Sequence, residues 1–193
     1  MEKNSEVKFH QTMQKEWAIK AEKAYALGFE YEKNYHGCGQ CVLAAVMDTL
    51  DSFDESAFNA ATNFSGGLGL DGKSTCSALL GGVMVFGLLY PRDHANFAGA
   101  RETKYRSFDM TQRLIAKFEE RYKSIICHDI HTIRMGRPFD LRSSEQRVLF
   151  EEAGAHLEEC TETVALAAKW TIEIIGEEFI KDELIHHSET EKE

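Results

Sequence analysis

Five cysteines carry the chemistry this chain can do: Cys38, Cys41, Cys76, Cys127 and Cys160. Only Cys38-Gly-Gln-Cys41 brings two of them close together. An odd number spread this widely makes a poor disulfide framework. Free thiols of a reducing compartment, used for metal ligation or thiol redox work, fit the pattern better. A Cys-x-x-Cys pair can be a thioredoxin-like dithiol, half of a zinc site, or two cluster ligands. Val42 follows Cys41, so the Cys-x-x-Cys-His of haem attachment is absent. The thioredoxin reading also needs a βαβ setting, and the flanking residues offer none.

Cys76 lies at the centre of the stretch from Ser65 to Tyr90. Ser65-Gly-Gly-Leu-Gly-Leu-Asp-Gly-Lys-Ser-Thr precedes it and an apolar run of about a dozen residues follows. The glycines free the backbone for positive φ, and Ser74 or Thr75 can cap the coming helix. The run is too short to cross a bilayer and reads as a buried helix. Cys76 is expected in its first turn, where unpaired N–H groups and the positive dipole end favour thiolate over thiol. A buried cysteine is otherwise a small core hydrophobe. The helix start beside a glycine loop favours chemistry.

The same loop holds a false lead. Gly67-Leu-Gly-Leu-Asp-Gly72-Lys73-Ser74 matches the P-loop pattern G-x-x-x-x-G-K-[ST], and residues 67–72 match G-x-G-x-x-G. Both motifs need an apolar strand feeding the loop, because that strand aims the amides at phosphate. Residues 54–64 read instead as a short polar helix, and Ile125-Ile-Cys-His-Asp129 is a poor magnesium-binding strand. Nucleotide binding is set aside.

Histidines offer less. His36 sits in a loop, where a solvated role is the ordinary one. His128 and His131 flank Cys127 and can be ligands or proton donors, although one cysteine ligand is the more economical reading.

The elements that must position these groups are helical. Long stretches are rich in Ala, Glu, Lys and Leu, only two prolines occur, and 43% of the 193 residues are hydrophobic. That is enough for one domain with a proper core. A net charge of −10 without any basic run excludes nucleic acid and anionic membranes as partners. The N-terminus lacks a signal-like apolar region, so the expected location is cytoplasmic.

Phe9, Met13, Trp17, Ala21, Tyr25 and Phe29 recur every fourth residue, giving one amphipathic helix from about residue 5 to 33. Its aromatics read as core, with Gly28 letting a neighbour approach, and nothing in it suggests a site. A second helix begins at Cys38 and runs to Leu50, with Cys38 and Cys41 sharing its first turn. Gly81, Gly82 and Gly87 are costly inside the helix after Cys76 unless it packs closely on another helix or a dimer mate. Pro91 ends it.

A long helix from about Asn96 to Lys123 carries Tyr105, Phe108, Ile115, Phe118 and Tyr122 as a core stripe. Cys127 follows at a helix-to-loop junction, and Met135 to Leu141 reads as loop. A helix over Ser143–Ala153 breaks before Cys160. Thr161 can then cap a last helix carrying Val164, Ala168, Trp170, Ile174 and Ile175 and reaching Ile185. The tail from His186 to Glu193 is charged and expected to fray. The fold class is all-α: a single-domain helical bundle over 1–193, with a Gly-rich loop before a buried central helix. Helix N-termini gathered at one spot would stabilise thiolates or an anionic cluster.

The chain resembles a family of redox-active proteins named for four cysteines and a Cys-Gly-Ala-x-x-Gly motif, related to the non-haem part of split-Soret cytochromes. Cys38-Gly39-Gln40 resembles the family's first Cys-Ala-Gln, and Cys76-Ser-Ala-Leu-Leu-Gly81 its motif, after the glycine loop. Cys127 follows an aromatic-rich helix ending in Ser-Ile-Ile. Gly136-Arg-Pro-Phe-Asp-Leu141 and Glu151-Glu-Ala-Gly-Ala-His156 lead to Cys160. The resemblance spans roughly residues 20–176. It departs at Ser77, where the motif has glycine, and at Cys41, where the family has a small residue.

The resemblance implies an electron-transfer protein with an iron–sulfur cluster on Cys38, Cys76, Cys127 and Cys160, and Cys41 as an extra or substitute ligand. Gly69, Gly72, Ser77 and Gly81 would be the neighbours of the bound group. Partners would be electron donor and acceptor proteins, with a homodimer expected. The rival readings are a metal-free thiol–disulfide oxidoreductase using Cys38, Cys41 and Cys76, and a structural zinc or interaction module.

Overall fold

Apolar stripes and small-residue contacts assemble eight α-helices among the described residues, 2–98 and 101–190 of the computed structural model. They are α1 (Glu2–Tyr35), α2 (Cys38–Thr49), α3 (Glu55–Ala60), α4 (Ser77–Leu89), α5 (Arg101–Tyr122), α6 (Cys127–Met135), α7 (Ser144–Glu152) and α8 (Cys160–Thr190). No strand occurs among them, and an isolated antiparallel bridge joins Thr75 to Ile126. The domain is all-α, as the composition implies.

α1 and α8 run antiparallel along their lengths. A Cβ on Gly28 would come within 3.2–3.3 Å of Ala165 and Ala168, and one on Gly176 within 2.7–2.9 Å of Trp17, so the two backbones lie close. The buried stripe of α1 is Trp17, Ala21, Ala24, Gly28 and Glu32. It departs from the expected one. A strict four-residue step turns 40° per step at about 100° per residue, so Tyr25 and Phe29 rotate towards the flank. The steps of four and three that keep to one face bring Glu32 inward instead.

α4 is the buried central helix, packed on α2, α5 and α8. Gly81 is needed where α4 crosses α2: its Cβ would lie 2.5 Å from the Gly39 carbonyl oxygen and 2.8 Å from Val42 Cβ. Gly82 gives the same closeness to Thr171 and Leu114. The mates of these two glycines are thus helices of the same chain.

α5 buries Met110, Leu114, Phe118 and Tyr122. Of the expected stripe Phe118 and Tyr122 are core, while Tyr105 and Phe108 are about half exposed. Ion pairs zip the outer edge of α5 to α8, with Arg106 on Glu178 and Asp182, Arg113 on Glu177 and Glu178, and Lys117 on Glu173. These pairs are mostly half-buried, with Glu178 shared between Arg106 and Arg113, and together they fix the register of α5 on α8.

Four boundaries differ from the sequence reading. Residues 95–98 form a turn, so the α5 helix does not extend back to Asn96; residues 99–100 lie outside the described residues. Cys127 opens a helix, α6, where a loop was expected. Gly154, at φ 88°, starts a wide helical turn over Ala155–Glu159 that flows directly into α8, so Cys160 lies within a continuous helix. Thr161 is buried with its hydroxyl unpartnered and caps nothing. At the other end α8 continues past Ile185 to Thr190.

Candidate metal centre

Each of the four family-type cysteines sits at or near a helix start, and four local devices bring those starts together. Gly37, at φ 95°, turns the chain from α1 into α2 and puts Cys38 on its first residue. Cys76 is itself the residue that caps α4, since the Ser74 hydroxyl is committed to Asp71 and Thr75 pairs with Ile126. The bridge continues as Cys76 N–H to Ile125 O at 2.7 Å, Cys127 N–H to Ser74 O at 3.1 Å and His128 N–H to Gly72 O at 2.7 Å. It clips the starts of α4 and α6 side by side. Arg134 of α6 then pairs with Glu159 at 2.7 Å and with Glu162 at 2.5 Å, fastening α6 to the start of α8.

The result is a cavity of about 160 Å³ lined by Cys38, Cys76, Cys127 and Cys160 together with Glu32 and His131. Cys41 is not among its lining residues. Its Sγ reaches the His36 carbonyl oxygen at 3.2 Å, and it borders a different depression beside Tyr31 and Phe58. All five cysteines are free.

Burial raises every one of these thiols above its ordinary range. Cys38 is pushed up by desolvation and then by the charges of Glu32, Cys160, Cys76 and Cys127. Cys160 is raised by the same causes and eased by Arg134. Cys127 rises through burial and then Cys76. Cys76 reaches about 11, against the opposing pull of the Ala78 and Leu79 amides. The helix-start thiolate expected for Cys76 is therefore overturned in the bare protein. The amides are there, but desolvation outweighs them. Cys41 responds to burial and Glu32 alone.

Glu32 is not among the site residues expected from the sequence. It is fully buried, accepts from Cys38 Sγ at 3.1 Å through Oε1, and leaves Oε2 without a partner. Desolvation raises its carboxyl to about 7. His131, three residues or one helical turn past His128, approaches Cys127 Sγ with Nε2 at 3.4 Å and is held neutral, near 4, by burial. His128 points away, its Nε2 against the Phe139 carbonyl oxygen at 3.0 Å. His36 is exposed but not merely solvated: its ring lies 3.8 Å from that of His156. With Glu151 these two bring donor atoms within 4.8 Å of one another, a set able to hold a cation at the exposed side of the cavity.

The glycine loop has another task. Asp71 accepts from Leu68 N–H, Ser74 N–H and the Ser74 hydroxyl, so its carboxylate occupies amides that a phosphate would need. Lys73 is exposed, and residues 54–64 are α3 and a helical turn, not a strand. Of the four residues expected to neighbour a bound group, Ser77 lines the cavity, its hydroxyl donating to Gly67 O at 2.6 Å. Gly69 is at the surface with open space around it, Gly72 lies on His128, and Gly81 lies on α2.

The donor set and the space fit a soft metal group. Four sulfurs suit iron–sulfur clusters or zinc, and a cavity of about 150 Å³ is known to take a molecule the size of benzene. No helix among the described residues is long and apolar enough to cross a membrane. No curated protein and no solved structure matches the chain. The family described as "Putative redox-active protein (C_GCAxxG_C_C)" matches over residues 36–174. That span is well over half of the chain and contains all five cysteines, so the protein belongs to this redox-active family.

Proposed function

We propose that Cys38, Cys76, Cys127 and Cys160 hold an iron–sulfur group and that the chain passes electrons between partner proteins. The observation that supports this most is the arrival of four thiols, carried by four separate helices, at one cavity. Buried thiols with raised pKa are poor nucleophiles at neutral pH. A bound cation reverses that, because a coordinating thiol is deprotonated outright. The same donors that fail to make a thiolate alone then support it: the Ala78 and Leu79 amides at Cys76, and the neutral His131 ring at Cys127.

When bound, an iron–sulfur group supplies one-electron chemistry. The protein's share is to hold the sulfurs and to limit water, with Ile130, Leu141 and Phe150 along the cavity wall. A metal-free dithiol enzyme is less well supported, since Cys38 and Cys41 face different surroundings and neither thiol is activated. The reading includes a cytoplasmic homodimer, consistent with five free cysteines in a reducing compartment.

The experiment is a visible spectrum with iron and sulfide analysis of anaerobically purified protein. A brown chain with iron and sulfide that bleaches on reduction is expected. A colourless protein with one zinc per chain would leave a structural site instead, and a metal-free protein with a reversible Cys38–Cys41 disulfide would reinstate the dithiol enzyme. Light scattering on the same sample reads the dimer.

A further inference from the structure

We infer that Glu32 supplies an oxygen donor to the metal group held by the four cysteines; the inference rests on the iron–sulfur reading above. Glu32 lies outside residues 36–174, so the family match does not reach it. It comes from α1, whereas the cysteines belong to α2, α4, α6 and α8.

A carboxyl taken fully out of water keeps its proton, is paired with a cation or coordinates a metal. Among the described residues Glu32 has no Lys or Arg within ion-pair distance. Arg134 also lines the cavity but is spent on Glu159 and Glu162. His156 Nε2 is 3.8 Å from Oε1, too far for a hydrogen bond, and that ring is biased to its neutral form by burial. The one close donor to Oε1 is the Cys38 thiol at 3.1 Å. Once Cys38 becomes a thiolate ligand its proton is gone, and a thiolate cannot donate. Cys41 also reaches this carboxylate, but its single proton is equally in reach of the His36 carbonyl oxygen. Oε2 has no hydrogen-bond partner among the described residues.

In the loaded protein Glu32 thus faces the cavity with at least one unpartnered oxygen, and a metal ion that displaces the carboxyl proton is the missing partner. Glu32 lines the same cavity as all four of these cysteines. Four thiolates and one carboxylate would make one iron differ from the rest in having an oxygen neighbour.

The test reconstitutes wild-type chain, Glu32→Gln, Glu32→Ala and Cys76→Ser anaerobically with ⁵⁷Fe(II) and sulfide. Iron per chain, chelator competition and Mössbauer spectra are then recorded, with circular dichroism to check folding. The wild type should show an iron component with the higher isomer shift of mixed sulfur and oxygen ligation. Both Glu32 variants should lose that component, and iron should exchange to chelator at least about tenfold more readily. Iron lost faster with the component unchanged would make Glu32 an outer partner and overturn the ligand role. So would a wild-type spectrum of all-sulfur iron alone, which decides the matter even if both variants misfold. If the wild type and Cys76→Ser bind equally little iron, it is the iron–sulfur reading that fails.

Discussion

Thr75 and Ile126 pair across an antiparallel bridge of one residue each, and that pairing sets Cys76 opposite Ile125 and Cys127 opposite Ser74, so that α4 and α6 start from one backbone clip. Both cysteines follow directly in sequence, and both have backbone N–H groups tied across the bridge. Two cysteines 51 positions apart are thus anchored to one clip by backbone alone.

The bridge depends on Gly72. A Cβ there would fall 1.8 Å from His128 Nε2, and φ is +67°. Gly72→Ala should therefore cost about 1–3 kcal/mol from backbone strain, with the clash in addition. Gly69 has a similar φ of +58° but open space around it. Gly69→Ala should cost only about 1 kcal/mol and leave metal content unchanged. Urea midpoints of the two variants check this, and equal losses would count against the bridge as the positioning device.

Lys73→Ala should leave metal content and redox response intact, and no nucleotide should bind tightly. Asp71 already takes the loop amides, and Lys73 stands in solvent. Micromolar ATP or GTP affinity lost in Lys73→Ala, read by calorimetry, would restore the phosphate reading.

The helices, the four spaced cysteines and the false P-loop were all legible in the sequence, because helix periodicity and glycine chemistry are local. Glu32 was missed although a signal existed: it falls four residues after Gly28, on the face that Trp17, Ala21 and Ala24 bury. Counting strict fours from Phe9 hid it. α6 was missed because it is short and Ile126, which precedes it, offers no side-chain cap. The contact of His36 with His156 joins residues 120 positions apart, and no local pattern carries it.

In the metal-free protein, pH should act on stability through Glu32. Its carboxyl is raised from 4.5 to about 7 by burial, so the native chain holds a proton the unfolded chain has released. The stabilisation is present below pH 4.5 and is lost as pH rises towards 7. His131, lowered from 6.5 to about 4, works oppositely: its contribution is present above 6.5 and lost as pH falls to 4. The two largely offset between 4.5 and 6.5. Glu32→Gln removes the first alone, so its stability relative to wild type should improve on going from pH 4.5 to 7, on the order of 3 kcal/mol. Urea titrations at both pH values check it, and parallel pH curves for the two proteins would refute it.

The cysteines should divide four against one. Ser at Cys38, Cys76, Cys127 or Cys160 replaces a soft sulfur at the cavity with a hydroxyl seldom ionised at neutral pH, and iron–sulfur groups select thiolate. Each variant should lose most of its iron. Cys76→Ser should lose the most, because the cap of α4, the Ala78 and Leu79 amides and the bridge all aim that one sulfur. Cys41→Ser should keep the iron, since Cys41 borders another depression and responds to none of the other thiols. It removes only a hydrogen bond to the His36 carbonyl and a neighbour of Glu32, which a hydroxyl can replace. A dithiol enzyme requires the reverse, with Cys38 and Cys41 equally essential and Cys127 and Cys160 dispensable. Iron per chain and the reduction midpoint across the five single variants separate the two. Loss of iron in Cys41→Ser, with Cys127→Ser and Cys160→Ser still loaded, would remove the four-cysteine centre.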